Sequence, residues 1–112
     1  MGEIMRFADS GYIGRMFDYS YDPHPDRWDW YATLDDAVNS LQNRYEDGYD
    51  SFRPCYVTYH GDVVCDDPDE SRFPAVSRDA EIALHRVVNG RVLDLEYPSY
   101  LIRLNDAGDA YV

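Results

Sequence analysis

Ser77-Arg-Asp-Ala-Glu-Ile-Ala-Leu-His-Arg-Val-Val-Asn89, followed by Gly90, is the stretch whose reading decides the fold. Read as a helix, it has Ser77 as N-cap and Gly90 as its stop. Ala80, Ala83, Leu84, Val87 and Val88 then form an apolar face, and His85 falls near the exposed side. An earlier segment has the same character. Thr33 is a good N-cap, and Asp36 three residues later makes a short-armed capping box. Leu34, Ala37, Val38, Leu41 and Tyr45 share one face, while Asp35, Asn39, Gln42, Asn43 and Glu46 lie away from it. Gly48 suits the C-terminal cap, and Asp35 and Asp36 sit favourably at the positive end of the helix dipole.

Strands are expected around these two helices. Residues 4–8 and 13–21 read as strands separated by the turn Asp9-Ser-Gly11. Asp22-Pro-His-Pro-Asp26 must be irregular, because two prolines forbid regular pairing. Trp28 to Tyr31 reads as a short strand or as the lead-in to the first helix. A hairpin follows, with Pro54–Tyr59 and Asp62–Asp66 as its arms. A two-residue loop would set Cys55 opposite Asp66. A three-residue loop with Gly61 in a left-handed bulge pairs Val57 with Val63 and Cys55 with Cys65. The second register gathers Cys55, Val57, Tyr59, Val63 and Cys65 on one face and leaves Thr58, Asp62 and Asp66 on the other, so patterning favours it. Asp66-Asp-Pro-Asp-Glu70 reads as a loop. Residues 92–97 and 100–104 read as closing strands, with Pro98 between them and a turn at Asn105–Gly108 after them.

The order is ββαββαββ. Its βαββαβ middle is the ferredoxin-like split arrangement, an α+β fold with two helices over one face of an antiparallel sheet. At 112 residues the whole chain, 1–112, fits a single domain, since two would each be too small to bury a core unaided.

Charge narrows the function. Asp and Glu total 22 against 10 basic residues, every one of them arginine, for a net charge of −12. Such a surface repels phosphate backbones and anionic lipid, which argues against direct binding to nucleic acid or membrane. The same field attracts a basic partner and speeds encounter with it. Eleven tyrosines suit half-exposed faces, because each can bury a ring and keep its hydroxyl wet. No apolar run has membrane-spanning length, and the first residues lack the character of a secretory signal, so a cytoplasmic setting is expected.

Catalytic and metal motifs are not found. There is no Cys-x-x-Cys or His-x-x-x-His pair for zinc. A calcium loop begun at Asp67 would have Arg72 where glycine is needed and Arg78 where the closing glutamate belongs. No nucleophile elbow, phosphate loop or dinucleotide fingerprint occurs, and no cofactor is implied. In a reducing cytoplasm Cys55 and Cys65 are expected as two buried thiols, although their register would permit a bridge.

The most unusual stretch runs from Asp18 to Tyr31. Asp18, Asp22, Asp26 and Asp29 recur every three or four residues among Tyr19, Tyr21, Trp28, Trp30 and Tyr31. Aromatic anchors ringed by carboxylates suit an arginine- or lysine-lined groove. The candidate partner-binding set is therefore Asp18, Tyr19, Tyr21, Asp22, Asp26, Trp28, Asp29 and Tyr31, joined by the acidic loop residues Asp66, Asp67, Asp69 and Glu70.

In size and charge the whole chain resembles the small acidic inhibitors that phages use against bacterial defence, including anti-CRISPR and anti-restriction DNA mimics. No motif carries the likeness, so it assigns no residue roles. It implies a non-enzymatic protein that occupies the positive channel of a basic nucleic-acid-handling complex. Two other readings share the acidic surface: an immunity protein or antitoxin that neutralises a basic toxin, and a housekeeping interaction domain. Thr33-Leu-Asp-Asp-Ala37 matches the helix start of one group of small antitoxins, but the glycine- and proline-rich strand that precedes it there is missing.

Overall fold

The computed structural model describes residues 6–7, 10–18 and 28–112. The first elements are β1 (Arg6–Phe7), β2 (Gly11–Phe17), β3 (Trp28–Tyr31) and the helix α1 (Leu34–Glu46). After these come β4 (Tyr49–Phe52), β5 (Pro54–Val57), β6 (Val63–Cys65), β7 (Asp69–Arg72) and β8 (Glu81–Val88). The last are β9 (Arg91–Val92), β10 (Tyr100–Leu104) and β11 (Ala110–Tyr111). The protein is mainly β, with one helix among the described residues. This overturns the expected α+β fold with two helices over a ferredoxin-like sheet. The irregular segment 22–26 and the outer parts of the strands read at 4–8 and 13–21 lie outside the described residues.

The difference comes from residues 77–89, where β8 forms instead of a second helix. Strand β8 is the middle of an antiparallel sheet ordered β1-β6-β5-β3-β2-β8-β10-β11. It pairs with β2 along one edge, from Gly11 opposite Val87 to Phe17 opposite Glu81. Along its other edge it takes β10 first and the short β9 further on. Side chains alternate across a strand, so Ile82 and Leu84 enter one core while Ala83, His85 and Val87 turn to the opposite face. A strand covered on both faces reads as a nearly continuous apolar run, and short runs of that kind do not separate strand from helix by periodicity. Ser77 does not cap a helix; its N–H and hydroxyl both donate to Asp18 (2.9 and 2.6 Å). Asn89 and Gly90 both have positive φ (52° and 79°), the two-residue hairpin turn that Asn-Gly favours, and they lead directly into β9.

Beyond Val92 the expected strand 92–97 does not continue. The Asp94 carboxylate accepts from the N–H groups of Glu96 and Tyr97, closing a local turn over residues 94–98, while Leu93 N–H and Ser99 N–H still donate to Arg86 O and Leu84 O of β8. The chain returns at Tyr100 to pair with Leu84. The second sheet, β4 with β7, was not expected, and Asp69 and Glu70 belong to it rather than to a loop.

The two faces of the main sheet hold separate cores. On one face α1 packs Ala37 and Leu41 against Tyr31, Ile82, Leu84 and Ile102. Each fully buried aliphatic side chain there contributes about 1.5–3 kcal/mol relative to an exposed one. Thr33 caps α1, its hydroxyl accepting from Asp36 N–H (3.1 Å), and Gly48 at φ 75° ends it, as expected. On the other face the sheet curls. Val63 N–H donates to Gly90 O (2.8 Å), Val92 N–H donates to Gly61 O (3.1 Å), and Asp62 forms a β-bridge to Arg91. These bonds join the tip of the β5–β6 hairpin to the β8–β9 turn. The strands β6-β5-β3-β2-β8-β9 thus form a ring around Ile13, Trp28, Cys55, Val63, Cys65 and Val87.

The β5–β6 hairpin adopts the expected register, with Val57 opposite Val63, Cys55 opposite Cys65 and Gly61 at φ 88°. Tyr59 does not join the inward face; it opens the three-residue loop and is 98% exposed. The two cysteines form a disulfide rather than the expected pair of thiols. Bonds from Thr58 N–H to Asp62 O and from Asp66 N–H to Pro54 O bracket them, so they oppose each other where the ladder bonds point outward and side chains lie closest. Their Cα atoms are 4.2 Å apart.

Two predictions follow from this packing. A Cβ added at Gly14 would meet Ile82 and Leu84 side-chain atoms at 2.8 Å, so Gly14→Ala should lower the unfolding free energy by about 1–3 kcal/mol in a urea titration. Protein prepared without reductant should titrate no thiol after unfolding. Cys55→Ala/Cys65→Ala should then lose roughly 2–3 kcal/mol, the chain entropy of so short a closed loop.

Candidate functional site

The sites that residue chemistry singled out in the sequence are dispersed by the fold. Tyr19, Tyr21, Asp22 and Asp26 lie outside the described residues. Asp18 is buried and is spent on Ser77, so it holds the β2 end to the chain entering β8 and does not face a partner. Trp28 and Tyr31 are each 6% exposed, one in the ring core and one under α1. Neither presents a free surface. What remains of the set gathers at one edge. Asp29 pairs with Pro54, and Pro54 O accepts from Asp66 N–H, so Asp29 and the start of the 66–70 stretch stand two strands apart. Asp66, Asp67, Asp69 and Glu70 are all exposed there.

This edge borders a cleft of about 500 Å³ between α1, β3 and β4. Asp36, Asn39 and Asn43 reach it from α1 at helical spacing, and Ser51 and Arg53 from the β4 side. Asp36, from the acidic first turn of α1, and Pro68, from the acidic 66–70 stretch, both line it. At the base lies a buried polar chain. Ser40 Oγ donates to Asp50 Oδ2 (2.7 Å), and the Tyr31 hydroxyl bonds Ser40 Oγ (3.1 Å). Serine has one proton and gives it to the carboxylate, so Tyr31 must be the donor to Ser40.

Asp50 is 4% exposed. Its burial pushes the carboxyl up to about 6, opposed by the Ser40 hydrogen bond, the Arg44 charge and the Ser51 N–H, and reinforced by nearby Asp29. Burial likewise holds the Tyr31 hydroxyl well above the ordinary tyrosine range, with the Asp29 charge adding to it. The Tyr49 hydroxyl is hydrogen-bonded to Glu70, and that bond raises it too. Arg44 is buried beside this chain and stacks on Phe73 at 3.8 Å.

Sequence reasoning missed Ser40, Arg44 and Asp50. The signal was present in α1: Ala37, Ser40, Leu41 and Arg44 are its buried stripe, spaced as one helical face. Two polar residues on that stripe require a polar partner, and Asp50 supplies it. Ser40 Oγ is enclosed between Tyr31 and Asp50, and no histidine or cysteine lines the cleft among the described residues. Among those residues, no group of His, Cys, Asp and Glu is arranged to hold a metal ion, and no helix is long and apolar enough to cross a membrane.

No protein-family model, curated protein or solved structure matches this chain.

Asp50 makes the cleft sensitive to pH. Its folded value of about 6 lies above the ordinary aspartate value of 3.8, so the folded state binds the extra proton. The stability it contributes is full below about 3.8 and is lost as pH rises through about 6. Asp50→Asn keeps an acceptor for Ser40 and removes the buried charge. It should therefore raise the denaturation midpoint at pH 7.5 relative to the native chain, with the difference shrinking towards pH 4. An equal effect at both pH values would show that Asp50 ionisation is not coupled to folding.

Proposed function

We propose that this is a non-enzymatic protein-binding inhibitor whose acidic edge docks on a basic, nucleic-acid-handling protein complex, of the anti-CRISPR or anti-restriction kind. The observation that carries the reading is the gathering of exposed carboxylates about one opening: Asp36, which lines it beside Asp35 at the head of α1, and Asp66, Asp67, Asp69 and Glu70, which flank its lining residue Pro68 in the chain. The 66–70 carboxylates make no ion pair among the described residues, so their field is directed outward. A net charge of −12 deepens that field, steers basic partners in, and disfavours direct contact with nucleic acid or anionic membrane.

The interface is narrower than the sequence pattern suggests. Asp18, Trp28 and Tyr31 have structural work to do, and the acids at 66–70 with Asp29 and Asp36 take their place as the docking edge. A cytoplasmic setting belongs to the proposal. Reductants there act against disulfides, and the Cys55–Cys65 bridge would persist through its burial, its sulfur-bearing residues being 4% and 2% exposed. The immunity-protein reading uses the same edge and differs only in the partner, a small basic toxin.

The test is affinity capture from nuclease-treated lysate with elution in salt steps. The expected result is a basic nucleic-acid-handling complex released by salt. Asp66→Asn/Asp67→Asn/Asp69→Asn/Glu70→Gln should weaken its binding at least tenfold at low salt and flatten the salt dependence, with the melting temperature little changed. Recovery of a small toxin selects the immunity reading. Binding that is unchanged by the four substitutions would remove this edge from the interface.

A further inference from the structure

A second pocket lies on the other face of the sheet, away from the acidic cleft. Register places its side chains together. Arg15, Ala83 and Leu101 stand opposite one another across β2, β8 and β10, and Phe17 and Glu81 form the next rung on the same face. His85 is two residues along β8 from Ala83, and Trp28 closes the inner end. The 94–98 excursion adds Leu95, Glu96 and Pro98 to its lining. The enclosed space is about 500 Å³, large enough for a small organic molecule.

The cation lining the pocket is Arg15. The Arg15 guanidinium stacks on Trp28 at 4.1 Å, and its Nε is buried with no hydrogen-bond partner. An N–H that solvent cannot touch is equally closed to a ligand oxygen, so what Arg15 offers the pocket is the charge of the rest of its guanidinium. His85 packs edge-on against Trp28, and its Nδ1 lies 2.7 Å from Asp94 O. A carbonyl only accepts, so Nδ1 carries a proton and donates to Asp94 O. Of the two acids in the pocket, Glu81 is paired with Arg103 at 3.3 Å, and Glu96 is exposed where solvent screens it.

We infer that this pocket binds a small carboxylate with an aromatic or branched apolar body, its head on the Arg15 guanidinium and its body between Phe17, Leu95 and Leu101. A planar guanidinium held flat by an indole presents its edge N–H groups in the fork that matches a carboxylate. The apolar lining covers the rest of the ligand. This site is independent of the acidic docking edge, which lies on the opposite face of the sheet.

Salt separates the two. Screening weakens a basic partner at the acidic edge, but it relieves the repulsion that a chain of charge −12 exerts on an anion, while the half-buried Arg15 contact is screened less. The probe is sodium benzoate, followed by calorimetry and tryptophan emission, with neutral benzamide as the control. Benzoate should saturate with millimolar affinity and bind roughly twofold more tightly at about 150 mM than at about 20 mM NaCl. Arg15→Met should weaken it at least tenfold, and Arg15→Lys by a smaller factor, because it keeps charge and loses the fork. Ala83→Leu, which fills the pocket floor and leaves Arg15 in place, should abolish binding. Absence of saturation, benzamide binding as well as benzoate, or unchanged benzoate affinity in either folded Arg15→Met or folded Ala83→Leu would overturn the assignment.

Discussion

The pairing of β2 with β8 is the constraint on which the rest of the structure depends. Seven consecutive registered pairs run from Gly11–Val87 to Phe17–Glu81, and every other part of the main sheet is added outward from that seam. Because β8 has a partner on each edge and a core on each face, nearly all of its surface leaves water. Its alternating side chains then set the sidedness of the molecule. Ile82 and Leu84 select the face that α1 covers, and Val87 selects the face around which the ring closes. A one-residue slip would exchange the two sets and put His85 into the aliphatic layer under α1.

Small size makes this double use of one strand valuable. A single-layer sheet of this length would leave one face wet, and a domain near 100 residues has little apolar surface to spare. Here the far face is dried without a second helix, by curling the sheet until the β5–β6 tip meets the β8–β9 turn. The closing bonds are few and lie at the rim. The interior behind them is held by Trp28 and by a covalent bridge between neighbouring strands. Chemistry follows the same division. The polar chain Tyr31–Ser40–Asp50 sits under the helix face and opens to an acidic edge. The Arg15–Trp28–His85 group sits on the ring face beside the 94–98 excursion. One sheet therefore separates a carboxylate-rich opening from a pocket built on a cation.

Much of the local structure was legible. The α1 boundaries followed from Thr33, the apolar stripe and Gly48, because caps and helical periodicity are written within a few residues of one another. The β5–β6 register followed from Gly61 and from which side chains would share a face. Residues 77–89 were misread because Ser, an apolar run and a closing Gly describe a capped helix as well as a buried strand ending in a hairpin. Val-Val-Asn-Gly-Arg-Val was the local feature that could have separated them, since an Asn-Gly pair between β-branched residues favours a turn with two positive φ angles. Asp18 and Trp28 looked like interface residues for a similar reason. Composition shows that a residue can bind a partner, and says nothing of whether Ser77 or a core has already claimed it.

By itself the sequence determined the net charge. It also determined those elements whose signals are contiguous: the capped helix, the three-residue hairpin loop and the turn before β11. Only the tertiary structure decided the rest. It made 81–88 a strand, because burial on both faces is a property of neighbours far away in the chain. It joined Cys55 to Cys65, raised Asp50 by enclosing it, and left Arg15 Nε without an acceptor. Each of these depends on which side chains meet across the sheet, and that is fixed by long-range pairing rather than by any local pattern of residues.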